Sequence, residues 1–69
     1  MKKKDYVVSS YDNSDEKIFD NLTEARKFAR KNSKNSSVVI NRWLYDADMD
    51  DMILDEKFEI KYENGAEIK

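Results

Sequence analysis

The residues in this chain best equipped for chemistry are acids. Tyr45–Glu56 reads YDADMDDMILDE and sets six carboxylates within twelve residues. Carboxylates this close can share a proton, ligate a hard cation, or present an anionic surface to a basic partner. Proton sharing needs environments that drive two pKa values apart. A stretch this polar, read as a solvated turn, supplies little burial for that. The chain has no His and no Cys, so the commonest general base and the thiol nucleophile are missing. Its one glycine, Gly65, follows Asn64 in a turn signal, so no glycine-rich loop exists to cradle phosphate. These absences point away from catalysis and from any bound cofactor.

The cation option has a partial pattern. Asp46, Asp48 and Asp50 fall at the first, third and fifth positions of a twelve-residue frame, with Ile53 at the eighth. This resembles the start of an EF-hand calcium loop. The pattern then breaks. Asp51 stands where glycine permits the sharp turn, and Lys57 stands where a glutamate would give bidentate ligation. The flanking residues read as strands rather than helices. A hydrated tip whose charges keep sheet edges apart is the simpler expectation.

Charge is segregated along the chain. Residues 1–21 carry four basic and five acidic side chains, residues 22–45 six and one, and residues 46–69 three and nine. The formal net charge is only −2. Such asymmetry says little about fold, but it bears on partners. In the basic third, Arg26, Lys27, Arg30 and Lys31 share one face of an expected helix, with Lys34 just beyond it. Lys2, Lys3 and Lys4 add a basic N-terminal arm, residues 1–4, expected to be mobile. These residues could contact phosphates. The sequence pI of about 5.1 and the acidic final third argue against direct nucleic-acid binding.

Sixty-nine residues allow one small domain, 1–69, with a limited core and no disulfide to brace it. Aromatic and β-branched residues recur throughout, which marks a folded chain. No apolar run is long enough to suggest secretion or a membrane span, and the expected compartment is the reducing cytoplasm.

The elements follow from pattern. Asp5–Tyr11 reads as a strand, Asp12–Asp15 as a turn, and Glu16–Asp20 as a returning strand. Asn21–Asn32 reads as a helix, with Asn21 as N-cap and Glu24 three residues later. Leu22, Ala25, Phe28 and Ala29 share its apolar arc. Ser37–Tyr45 and Met52–Tyr62 read as two strands around the acidic tip. Asn64–Gly65 signals a type I′ turn before a short edge strand. The expected fold is therefore α+β: a two-layer ββαββ arrangement, four mostly antiparallel strands in order 2-1-3-4, a possible fifth, and one helix on one face.

Pairing Tyr45 with Met52 predicts Trp43 opposite Leu54, Asn41 opposite Glu56 and Val39 opposite Phe58, on the face that meets the helix. Arg42 would meet Asp55 on the other face. That face would also expose Val38, Ile40, Leu44 and Ile53, a candidate surface for pairing with a second copy.

The leading expectation is a non-catalytic protein-binding module. Its contact residues would be Asp46, Asp48, Asp50, Asp51 and Asp55, with Glu56 and Glu59, and its target a basic protein surface. In size, acidity and lack of catalytic residues the chain resembles small acidic inhibitors, many from bacteriophages and mobile elements, that mimic nucleic acid. A nucleic-acid-binding domain using the basic helix and a structural or regulatory homodimer are the alternatives.

Overall fold

The computed structural model describes residues 4–10, 16–34 and 36–68. Five strands and one helix follow one another as β1 (Lys4–Ser10), β2 (Glu16–Phe19), α1 (Leu22–Asn32), β3 (Val38–Asp46), β4 (Asp51–Glu63) and β5 (Ala66–Ile68). The strands form one antiparallel sheet in the order β2-β1-β3-β4-β5, with α1 packed on one face. This is the expected α+β architecture, including the fifth strand. The expected turn at Asp12–Asp15 and the N-terminal lysines Lys2 and Lys3 lie outside the described residues. Lys4 belongs to β1 rather than to a mobile arm.

The helix starts where its cap dictates. Asn21 is extended, and its side-chain oxygen accepts the Glu24 N–H at 2.8 Å. That bond satisfies a donor that the first turn would otherwise leave without a partner. At the far end the Ser33 N–H donates to the Ala29 carbonyl at 2.9 Å. Ala25 and Ala29 are fully buried, and their small side chains let the helix lie close to the sheet. Beneath them sit Tyr6, Val8, Val38, Ile40 and Tyr62. Phe19 and Phe28 close one side with ring centroids 5.4 Å apart, and Lys17 lies over the Phe28 ring at 5.5 Å.

This core reverses the expected choice of face. Val38 and Ile40 lie under the helix, while Trp43 and Leu54 pair on the opposite face. The cause is in β4. The expected register holds from the tip as far as Trp43↔Leu54 and then jumps to Asn41↔Glu59. Four residues of β4, Asp55 to Phe58, thus bulge opposite Arg42 alone. An odd excess of residues moves every following side chain to the other face. Phe58, Ile60 and Tyr62 therefore turn toward the helix, although Met52 and Leu54, of the same parity, turn away.

The molecule is elongated, 39 × 23 × 20 Å. The β3–β4 hairpin runs on past the buried core under the helix, flanked by β1 as far as Leu44, and its last rungs and turn form a short arm. Among the described residues no helix is long and apolar enough to cross a membrane.

Candidate functional site

The arm is anchored at the bulge. The Arg42 guanidinium donates to one Asp55 oxygen through Nε, at 3.0 Å, and through Nη2. The other Asp55 oxygen accepts the Lys57 N–H at 3.1 Å and so shapes the bulge itself. The Arg42 guanidinium also stacks 4.5 Å from the Phe58 ring, whose edge meets Tyr6 with centroids 5.7 Å apart. The hydrogen bond from Arg42 holds the Asp55 carboxyl below the usual aspartate range, against the opposing effect of burial. The expected Arg42–Asp55 contact is thus present, across a bulge rather than across a regular ladder.

Beyond the anchor the hairpin closes at Asp46↔Asp51 around a turn of Ala47 to Asp50. Aspartate side chains build this turn. Asp46 Oδ1 accepts the Asp48 N–H at 2.9 Å, and Asp51 Oδ1 accepts the Met52 N–H at 2.8 Å. Asp50 adopts φ 50°, a left-handed conformation that Asp tolerates better than most residues, and accepts the Tyr45 hydroxyl. That bond, followed by burial and the charge of Asp46, raises the Tyr45 pKa. Each contact uses one oxygen of its carboxylate. Among the described residues no ion pair engages Asp46, Asp48, Asp50 or Asp51. Four acids without an ion-pair partner among the described residues therefore gather on one narrow tip.

The chain matches no family model, no curated protein and no solved structure. The arrangement of its own residues is what bears on function.

The structure divides the seven expected contact acids. Asp46, Asp48, Asp50 and Asp51 come together at the tip. Asp55 is drawn back into its pair with Arg42, leaving its side chain 13% exposed. Glu56, expected opposite Asn41 and pointing inward, is exposed in the bulge. Glu59 lies past the bulge and pairs with Lys61 at 3.6 Å. For the partial calcium pattern, no group of three or more acidic side chains among the described residues is placed to hold a metal ion. Asp46 and Asp50 are instead turned to the Asp48 amide and the Tyr45 hydroxyl.

The basic residues gather at the other end. Lys27, Arg30, Lys31 and Lys34 line a shallow dip on the exposed side of α1. Arg26 turns away to Glu67 at 3.7 Å, and Lys27 reaches Glu24 at 3.9 Å.

The candidate dimer face does not hold together. Val38 and Ile40 are 1% and 0% exposed in the core, and only Leu44 and Ile53, beyond the helix, retain exposure. The sequence reading missed the face that is bare: Val7, Ile18, Trp43, Met52 and Leu54, opposite the helix. The alternation of Val7 with Val8 and of Trp43 with Leu44 shows that both faces of the central strands are apolar. It does not rank them.

Proposed function

We propose that this protein is a non-catalytic binding module that docks its acidic arm on the basic surface of another protein, acting as an inhibitor or adaptor. One observation carries the reading: Asp46, Asp48, Asp50 and Asp51 project together, without ion-pair partners among the described residues, on a hairpin anchored at its base by Arg42 and Asp55. A dense anionic tip on a braced support attracts a cationic groove and excludes anionic competitors. A groove that normally receives nucleic acid is a natural target, which makes mimicry of a phosphate track the favoured mode. The site holds no His or Cys; Asp48, Asp50 and Asp51 are exposed and Asp46 is half-buried, which favours binding over reaction.

Affinity capture from a lysate of the native host tests this. The intact chain should retain a basic protein, and short duplex DNA should displace it. The triple variant Asp48→Lys, Asp50→Lys, Asp51→Lys should keep its fold and lose that protein. Undiminished capture by the folded triple variant rejects the arm as the contact.

A second reading rests on the cationic dip of Lys27, Arg30, Lys31 and Lys34. A nucleic-acid-binding domain of this kind should shift a labelled oligonucleotide, less so as salt rises. No shift at low salt removes it.

A further inference from the structure

We infer that the outer edge of β4 accepts an extended basic segment of the partner protein, which joins the sheet as an added strand. This rests on the acidic-arm reading and names the part of the partner that the arm takes. β4 runs for thirteen residues, Asp51–Glu63, and β5 pairs with only Lys61, Tyr62 and Glu63. Among the described residues no strand lies beside Asp51–Ile60 on that side. In an antiparallel strand, alternate residues turn their N–H and C=O groups to each side. The outward set along this edge is a row of donors and acceptors that another backbone can satisfy. The outer strands β2 and β5 offer edges of only four and three residues.

The side chains along the edge select the occupant. From the tip to Leu54 the ladder with β3 is regular, so Asp51–Leu54 can carry it on to a further strand. Ile53 and Leu54 are consecutive, lie on opposite faces of the sheet, and are 41% and 42% exposed. Two successive apolar residues on the added strand would sit beside them and widen the Leu44↔Ile53 and Trp43↔Leu54 rungs. Around them the edge is acidic. Asp51 at one end and Glu56 in the bulge have no ion-pair partner among the described residues, and Asp50 adjoins Asp51 at the tip. Asp55 and Glu59 are paired with Arg42 and Lys61, and Lys57 is the one basic residue of Asp51–Ile60. Lysine or arginine on both sides of the apolar pair therefore suits this edge. A second copy of β4 does not suit it. In either direction it would bring its own aspartate tip against the acids of the first, and like charges directly opposed destabilise a ladder. The acids thus block self-pairing while admitting a cationic strand, and the bulge at Asp55–Phe58 ends the added ladder.

Titration of the intact chain with the capped hexapeptide Lys-Arg-Val-Ile-Arg-Lys tests this. The peptide should bind, and hydrogen exchange should slow at alternate backbone amides within Asp51–Leu54. The same peptide, N-methylated on the backbone of its four central residues, keeps its charges and side chains but cannot donate to a ladder from those residues. It should bind at least about tenfold more weakly. Equal affinity of the two peptides overturns the inference and leaves the arm as a contact of charge alone. No binding of the unmethylated peptide up to millimolar concentration overturns it too. Ile53→Lys should keep native circular dichroism and weaken the unmethylated peptide, and undiminished binding by that folded variant is a further refutation. If the variant unfolds, the comparison of the two peptides decides without it. The acidic-arm reading fails separately, when the folded triple lysine variant of Asp48, Asp50 and Asp51 still captures the host protein.

Discussion

Asp55 shows how much one carboxylate organises in a small fold. It joins β3 to β4 through Arg42, closes its own bulge through the Lys57 amide, and fixes the guanidinium that covers Phe58. Its bond to Arg42 is the main cause of its lowered pKa. A carboxyl whose folded pKa lies below its unfolded value stabilises the fold fully above the ordinary aspartate value of 3.8. That contribution disappears as pH falls through the lower folded value. Asp55→Asn should therefore lower the urea midpoint at pH 7, read from Trp43 fluorescence, and lose less further stability below about pH 4 than the wild type does. Equal acid losses in the two proteins would show that the pair is not coupled to folding. This pair was legible in the sequence because opposite charges stood at matching distances from a symmetric tip. The placement of Phe58 beneath it was not, since the even-numbered series Met52, Leu54, Phe58, Ile60 and Tyr62 is interrupted only by Glu56, and one polar residue in an alternating strand does not by itself mark a bulge.

At the scale of elements, local signals and long-range choices separate cleanly. The cap at Asn21, the apolar arc of α1 and the register near the tip follow from neighbours in sequence, whereas the pairing of β1 with β3 follows from the apolar content that puts both in the middle of the sheet. The Asn64–Gly65 turn is local as well, with φ 54° and 79° as a type I′ turn requires. The face that the helix covers follows from which of two apolar faces gains most by burial, and the reversal within β4 decides that. Contacts that tie distant elements were equally hidden. Ser33, just past the end of α1, is 1% exposed, and its hydroxyl accepts the Gly65 N–H at 3.1 Å while lying 3.4 Å from the Arg30 carbonyl. This links the helix end to the β4–β5 turn. Ser33→Ala leaves that amide without its partner and should destabilise by about 1–2 kcal/mol. Faster amide exchange should appear in Ala66–Ile68, because that strand hangs on the turn. Asn21→Ala, at the opposite end of α1, should cost about 1 kcal/mol without affecting β5 exchange. Unchanged β5 exchange in Ser33→Ala would assign the serine to the helix end alone.

Across the whole molecule, the arm and the basic face of α1 act as separate charges. β4 connects them alongside the nine residues of β3, which at about 3.3 Å per residue span about 30 Å, several times the Debye distance. The longest dimension, 39 Å, tells the same story against a screening length of about 8 Å at physiological salt. The two ends therefore cannot cancel each other's field, and a partner meeting the tip experiences four aspartates rather than a chain of net charge −2. Reversing the basic end should consequently leave arm-mediated binding almost unchanged. The variant Lys27→Glu, Arg30→Glu, Lys31→Glu should capture the same host protein as the wild type, whereas reversal of Asp48, Asp50 and Asp51 should release it. Capture by the wild type should also weaken as sodium chloride rises from physiological to half-molar, with no change in circular dichroism, because exposed charge pairs are screened while the core is not. Loss of capture in the helix variant with retention in the tip variant would reverse the assignment and make the cationic face of α1 the contact surface.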